Sequence, residues 1–156
     1  PTLAKSCLSL LPSTELVNLY GPTEGTMTVV RFPAEPEEKL FLRSPVGVPI
    51  ENTQIIVART GPPNLDPAPV LCQGEVVFGG PLIARGYWRL PELNKEKFVD
   101  NPHFPSTPND LTPPKAYLSG DLGRWRSDGT LEFLGRADNQ VKFNGVRIEL
   151  GEIESS

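Results

Sequence analysis

The sequence has little of what metal sites and disulfide scaffolds require. Its 156 residues include one histidine and two cysteines. His103 lies between two prolines with no second ligand at zinc spacing, so we interpret it as a loop residue rather than a metal ligand or base. Cys7 and Cys72 stand far apart with no C-x-x-C pairing. We interpret them as reduced thiols of a cytosolic protein, with a disulfide as the minor alternative.

The sequence also lacks long apolar runs and an excess of positive charge. Its longest apolar stretches are far shorter than a membrane span, and no signal peptide opens the chain. The formal net charge of −4 offers no basic face to a phosphate backbone. These features argue against a membrane or a nucleic acid as partner and predict a cytoplasmic protein.

Proline is abundant, with 18 residues, against an average share of about 5%. Because proline cannot donate to a strand ladder or continue a helix, the count predicts many loops. The richest stretches, Gly61–Pro69 and Asn101–Pro114, are predicted to be exposed loops or insertions. The chain starts with Pro1 and stops just after an apparent helix start at Glu149–Glu154. We therefore expect an internal piece of a larger protein.

Short strands dominate the pattern of the first hundred or so residues. Runs of strand composition bounded by glycine or proline are typical of strands. Helices are predicted where an amphipathic pattern closes at a proline, or where proline and acids precede lysines. The predicted strands are Glu15–Tyr20, Thr26–Phe32, Asn52–Ala58 and Gly74–Phe78, and the predicted helices are Leu3–Leu11 and Pro91–Val99.

Two hairpins are predicted near the end of the chain. Ala116–Trp125 and Thr130–Gly135 flank a turn at Ser127-Asp128-Gly129, and Gln140–Phe143 and Val146–Glu149 flank Asn144-Gly145. The fold class is therefore α+β and mostly antiparallel β, with a few short helices. We interpret Trp88, Trp125 and Phe133 as the core of a β-barrel rather than as a binding platform.

The segment Asn18–Glu24 carries the first chemical signal. A strand followed by a tight turn presents an aromatic ring, a hydroxyl and a carboxylate within a few residues. This set suits a nucleotide, because a ring can face a base, a hydroxyl can donate to phosphate and a carboxylate can hold Mg²⁺. Taken alone, an ordinary strand and turn with surface Thr23 and Glu24 is the favoured alternative.

Several further segments share their residues with one protein family. NLYGPTEGT resembles the N-x-Y-G-P-T-E motif of the adenylation domains of nonribosomal peptide synthetases and of their acyl-CoA synthetase and luciferase-like relatives. The other segments follow in the family's order: PVGVPIENTQ, GEVVFGGPLIARGY, YLSGDL, WRSDGTLEFLGR and GRADNQVKFNGVRIELGEIE. Together they span most of the chain and identify it as resembling the adenylate-forming, AMP-binding enzyme superfamily.

The resemblance implies a division of the chain. Residues 1–137 correspond to the end of the large N-terminal α/β domain with its β-barrel subdomain. Residues 138–156 correspond to the start of the small C-terminal α+β domain. The family's upstream glycine-rich phosphate loop and its C-terminal lysine have no counterpart in this sequence, so we expect the chain alone to be inactive.

The resemblance also implies a nucleotide site. Tyr20 would stack on adenine, and Gly21 belongs to the same turn. Thr23 would hydrogen-bond the α-phosphate, and Glu24 would hold Mg²⁺. Asp121 would accept both ribose hydroxyls, with Arg136 beside the ribose and phosphate.

Other implied roles concern the acid substrate and the second half-reaction. Leu19, Met27 and Thr28 would line a pocket for an apolar or small neutral side chain. Asp138 would be the hinge of the small domain. Lys142 is a candidate catalytic residue that would swing in for the thiol step with Asn144-Gly145, although an exposed strand lysine is nearly as plausible.

The implied reaction joins a carboxylate to ATP, giving acyl- or aminoacyl-AMP, and then transfers the acyl group to a phosphopantetheine thiol. The expected partners are a small carboxylic or amino acid, ATP, Mg²⁺ and a carrier protein domain. A free-standing acyl-CoA synthetase, with CoA as acceptor, is the first alternative. A non-catalytic β-barrel interaction fragment is the alternative from another class.

Overall fold

A computed structural model describes residues 2–25, 45–103, 114–138, 140–143 and 146–149. The described elements are two α-helices, one 3-10 turn and eight strands. In chain order they are α1 (Thr2–Leu10), the 3-10 turn Thr23–Gly25, β1 (Pro45–Gly47), β2 (Gln54–Ala58), β3 (Gly74–Gly79), α2 (Pro91–Lys97), β4 (Phe98–Asp100), β5 (Lys115–Trp125), β6 (Leu131–Arg136), β7 (Gln140–Phe143) and β8 (Val146–Glu149).

Six strands form one antiparallel sheet in the order β1-β6-β5-β3-β2, and β4 also pairs with β5. The long strand β5 organises this sheet. One of its edges pairs with β3, while the other pairs with β4 at the start of the strand and with β6 at its end. Strands β7 and β8 form a separate two-stranded sheet. The predicted fold class, mostly antiparallel β with few helices, is confirmed.

Alternate residues of a strand point to opposite faces of the sheet, and in the central strands both faces are covered by buried apolar clusters. On the first face, Val76 and Phe78 of β3 pack with Tyr117 of β5 in a cluster that also contains Val57 and Leu131. On the second face, Val77 packs with Ala116, Ile56, Ala58 and Leu65. Burial of apolar side chains on both faces explains why GEVVFG reads as a nearly continuous apolar run.

Most of the predicted elements are confirmed, with small shifts at their ends. Both hairpins and the strands at 54–58 and 74–79 are present. The predicted helix Pro91–Val99 ends at Lys97, and its last two residues open β4. The strand predicted at Thr26–Phe32 lies outside the described residues.

The prediction of a strand at Glu15–Tyr20 is wrong. Only Leu19 makes a β-bridge there. Val17 and Leu19 are 40% and 56% exposed. Strand composition measures how well side chains fit a half-buried pleated surface. These side chains lie largely in solvent, so the composition was misleading.

The interpretation of Trp88 as core is also wrong, since its side chain is 85% exposed. It lies in a turn where Arg89 has a positive φ of 57°, and the Arg89 guanidinium lies 5.6 Å from the centroid of its ring. Trp125 and Phe133 do pack against the first-face cluster, as predicted. None of the described helices is long and apolar enough to cross a membrane.

Candidate functional site

Tyr20 lies against the first face of the sheet, where two strands hold its ring. The ring centroid is 6.1 Å from Phe78 of β3 and 5.8 Å from Phe133 of β6. Its hydroxyl donates to Asp121 Oδ2 at 2.6 Å. Burial, and then the neighbouring Asp121 carboxylate, raise the pKa of the Tyr20 hydroxyl far above its usual value. The hydroxyl therefore stays protonated and remains a donor at any working pH.

Asp121 and Arg136 are direct cross-strand partners in the β5–β6 pair. Arg136 Nη1 donates to Asp121 Oδ1 at 2.8 Å, so each carboxylate oxygen accepts one internal hydrogen bond. Asp121 is only 8% exposed. A carboxylate has about four lone-pair sites, so both oxygens keep acceptor capacity for a ligand after these two bonds.

The guanidinium of Arg136 also holds Asp138 at the end of β6. Its Nε and Nη2 donate to Asp138 Oδ1 and Oδ2 at 2.7 and 2.6 Å, a bidentate arrangement. The hydrogen bond to Asp138 is the main cause that raises the pKa of Arg136, and the charge of Asp121 adds to it against the effect of burial. Tyr20, Asp121, Arg136 and Asp138 therefore form one connected set, which we call the carboxylate–arginine cluster.

The backbone at Asp121 is fixed by residues of β3 and β5. Ser119 Oγ donates to the Val76 carbonyl at 2.5 Å and accepts from the Asp121 amide at 3.0 Å. Glu75 Oε1 accepts from the Gly120 amide at 2.8 Å. Gly120 has a φ of +72°, and a Cβ there would lie 2.8 Å from Arg136 Nη2 and Asp138 Oδ2. Only glycine therefore allows the guanidinium to come so close.

Glu24 lies in the 3-10 turn and is 6% exposed. Tyr87 donates its hydroxyl to Glu24 Oε1 at 2.5 Å, and the Tyr87 and Tyr117 hydroxyls are 3.4 Å apart. Tyr117 packs in the first-face cluster and belongs to β5, the strand that carries Asp121. The Glu24 carboxylate and the carboxylate–arginine cluster are thus anchored on the same strand and the same face of the sheet.

The remaining predicted site residues divide into two groups. Thr23 and Leu19 are exposed and Gly21 is half-buried, all on the segment that carries Tyr20 and Glu24. Lys142 belongs to β7, but its side chain lies outside the described residues, as do Met27, Thr28 and the turn Asn144-Gly145. The structure therefore brings together Tyr20, Asp121, Arg136 and Asp138.

Sequence reasoning missed three residues that hold the site. Tyr87 and Glu75 lie in the segment GEVVFGGPLIARGY and Ser119 lies in YLSGDL, two segments that carry the family resemblance without a predicted role for these three residues. Their contacts join residues 43 to 63 positions apart. No local spacing rule predicts such contacts. A polar residue inside an otherwise apolar strand, such as Glu75, was the one available signal.

As a chemical arrangement, the site offers a buried carboxylate for hydroxyl groups, a planar cation for an anion and an aromatic ring. Nearby is a second buried carboxylate. Among the described residues no group of three or more histidine, cysteine, aspartate or glutamate side chains forms a metal cage. A single carboxylate is nevertheless what Mg²⁺ uses when phosphate oxygens and water supply its other ligands.

Comparison with known proteins gives the same family at three levels. The sequence profile described as AMP-binding enzyme matches residues 1–88. Tyrocidine synthase 1 of Brevibacillus parabrevis is 47% identical over 140 residues, which cover 89% of this chain and 12% of that protein. Phosphinothricin tripeptide synthetase PhsB of Streptomyces viridochromogenes is 42% identical over 156 residues, covering 100% of this chain and 12% of that protein.

A solved structure, PA1221, an NRPS (nonribosomal peptide synthetase) protein containing adenylation and PCP domains, superimposes with a TM-score of 0.82. It is 30% identical and covers 97% of this chain and 29% of that one. The chain thus spans about an eighth of the length of the curated relatives named above. The likeness holds in sequence and in three dimensions.

Proposed function

The chain belongs to the AMP-binding enzyme family and resembles the adenylation domains of nonribosomal peptide synthetases, and from this premise we propose its function. The full-length protein activates an amino acid or another small carboxylic acid with ATP, giving an acyl-adenylate and pyrophosphate. It then transfers the acyl group to a phosphopantetheine thiol. The observation that carries the proposal is the carboxylate–arginine cluster, in which Asp121 is held between Tyr20 and Arg136.

Asp121 binds the ribose in this proposal. Each of its oxygens already accepts one hydrogen bond, and the remaining lone pairs accept the two ribose hydroxyls. Tyr20 and Arg136 fix the carboxylate in direction, so little rotamer entropy is lost when the nucleotide binds. Arg136 keeps its positive charge next to the phosphate, and the Tyr20 ring provides a face for the base.

The phosphate end of the nucleotide faces the Thr23–Gly25 turn. Thr23 is exposed, and in this proposal its hydroxyl donates a hydrogen bond to the α-phosphate. Glu24 is buried with one oxygen held by Tyr87, which fits a carboxylate that supplies a single protein ligand to Mg²⁺. Mg²⁺, when bound, offsets negative charge on the phosphates. The contribution of these residues is positioning and charge stabilisation, because phosphoryl chemistry needs little covalent help.

The second half-reaction uses the segment after β6. The Ala137 amide donates a hydrogen bond to the Gly120 carbonyl at 2.8 Å. From Gln140 onward, β7 pairs with β8 in a separate sheet. Asp138 lies between the two sheets, where a change of backbone angles reorients everything that follows. We propose Asp138 as the hinge, Lys142 as a residue of the thiol step, and 138 as the start of the small domain.

A carrier protein domain is the proposed thiol partner, in preference to free CoA. PA1221 contains adenylation and PCP domains, and the peptide synthetases that resemble this chain support the same choice. The identity of the acid depends on pocket residues of which Leu19, Met27 and Thr28 belong to this chain.

Asp121→Ala in the full-length protein is expected to weaken ATP binding by about tenfold to a hundredfold. A hydrogen bond to a charged group contributes about 1.5–3 kcal/mol, and the two ribose hydroxyls lose a charged acceptor. Isothermal titration with ATP measures the effect.

Glu132→Ala is the matched control for this variant. Glu132 is also 8% exposed and pairs with an arginine across the same two strands, through Arg124 Nε at 2.7 Å. Its loss disturbs the sheet in a similar way without touching the cluster. Unchanged ATP affinity in folded Asp121→Ala, or an equal loss in both variants, would remove Asp121 from the nucleotide site.

A further inference from the structure

Glu24 is attached to the segment 84–87 at two points. The Ala84 amide donates to the Glu24 carbonyl at 2.8 Å, and the Tyr87 hydroxyl donates to Glu24 Oε1. Both main chain and side chain of Glu24 are therefore fixed by one short stretch of the chain. The Tyr87 hydroxyl therefore helps to set the direction of the Glu24 carboxylate.

Tyr87 is in turn held by a single side chain of α2. Asn94 Oδ1 accepts from the Tyr87 amide at 2.6 Å, and Asn94 Nδ2 donates to the Tyr87 carbonyl at 2.9 Å. These two bonds fix both backbone polar groups of Tyr87. The close approach needs a glycine at position 86, because a Cβ there would lie 2.9 Å from Asn94 Oδ1 with φ at +137°.

The ring of Tyr87 is held by packing between its backbone and the Glu24 carboxylate. It meets Phe98 edge to face, with the centroids 5.4 Å apart. At the far end of the ring the hydroxyl donates a hydrogen bond to Glu24 Oε1. Backbone, ring and hydroxyl form one rigid connection.

We propose that Asn94 and Tyr87 are positioning residues for Glu24, acting in series, and that they set the affinity of the site for magnesium-bound ATP rather than for the nucleotide itself. Asn94 fixes the backbone of Tyr87, and the Tyr87 hydroxyl fixes one oxygen of the Glu24 carboxylate, which would hold Mg²⁺. This inference rests on the proposed function, in which Glu24 is the ligand of Mg²⁺. It extends the site to a helix that carries none of the residues predicted from the family motifs.

The test is a binding measurement on the full-length protein. A nonhydrolysable ATP analogue is titrated by calorimetry, once with excess Mg²⁺ and once with a chelator and no divalent cation. In Tyr87→Phe the ring and its packing on Phe98 remain, and only the hydroxyl is lost. We expect affinity with Mg²⁺ to fall about tenfold, the effect of losing one charge-assisted hydrogen bond. Affinity without Mg²⁺ should stay within about twofold.

A second variant tests the first link of the series. Asn94→Asp keeps the acceptor for the Tyr87 amide and removes the donor to the Tyr87 carbonyl. It should therefore lower the affinity measured with Mg²⁺ by about threefold and leave the affinity without Mg²⁺ unchanged. Lys95→Ala is the matched control, because Lys95 is the next residue of α2 and forms an exposed ion pair with Glu92. It should bind as the wild type does under both conditions.

The outcomes separate this inference from the function on which it rests. One outcome contradicts the positioning role alone. If Glu24→Gln abolishes the magnesium dependence of ATP binding while Tyr87→Phe and Asn94→Asp bind as the wild type does with Mg²⁺, the positioning role is wrong and the proposed function stands. Equal losses with and without Mg²⁺ in Tyr87→Phe also contradict it, since they mark a purely structural hydroxyl. If wild-type affinity does not depend on Mg²⁺, or Glu24→Gln retains the dependence, the proposed function fails and the positioning role fails with it.

Discussion

Asp138→Pro is expected to slow one of the two half-reactions by about a hundredfold and to leave the other within a few fold, because misplacing catalytic groups by about 1 Å costs that much in rate. Asp138 follows Ala137, whose amide donates a hydrogen bond to Gly120 of the large sheet. It precedes β7, which belongs to the separate two-stranded sheet. Proline fixes φ near −65°. A hinge that must change its backbone angles would then be held in one of its two states.

The two half-reactions are measured separately, adenylate formation by pyrophosphate exchange and thioester formation by loading of the carrier domain. Asp138→Ala is the control, since it removes the carboxylate that Arg136 binds but leaves the backbone free. It should affect both steps modestly. Equal slowing of both steps in Asp138→Pro, with unchanged thermal stability, would make Asp138 an ordinary linker residue.

Arg136→Ala is expected to lower the free energy of unfolding by about 3 kcal/mol and to weaken ATP binding as well. The substitution leaves the Asp121 carboxylate buried without its counter-charge, and breaking a buried pair in this way costs about 3–5 kcal/mol. The lower end applies because Tyr20 continues to donate to Oδ2. Urea unfolding and calorimetric titration with ATP measure the two effects.

Arg124→Ala separates the structural part of this loss from the functional part. Arg124 and Glu132 also pair across β5 and β6, with Nε 2.7 Å from Oε2. Removing Arg124 should destabilise the protein by a similar or smaller amount, because its side chain is more exposed than that of Arg136. ATP affinity should not change. A stable Arg136→Ala protein with wild-type ATP affinity would contradict the site.

The hairpin of β5 and β6 shows which parts of the fold can be predicted from the sequence. Its turn at 127–129 predicts that the two strands pair, and this is confirmed. The register of Trp125 with Leu131, continued without irregularity, would place Gly135 opposite Asp121. The register shift between Leu122 and Gly123 places Arg136 there instead. A bulge depends on packing across the whole sheet, so the family motifs identified both residues but no local pattern predicted their pairing.

The other errors have a similar origin. Glu15–Tyr20 has strand composition, but its apolar side chains lie exposed, and composition does not specify what will cover a segment. Tryptophan is usually buried, which favours a core position for Trp88, yet its side chain lies exposed in a turn. The contact of Tyr87 with Glu24 joins two segments that are 63 positions apart in the sequence. Such contacts follow from tertiary packing, which overrides local preference.

The most direct test of the central claim is amino-acid-dependent exchange of pyrophosphate into ATP by the full-length protein. Each common amino acid and a set of small carboxylic acids is supplied separately. The account predicts exchange with one acid or a few related acids, and loss of that exchange in Asp121→Ala but not in Glu132→Ala. The absence of exchange with every acid, or exchange at the wild-type rate in Asp121→Ala, would contradict the assignment of this site to carboxylate activation.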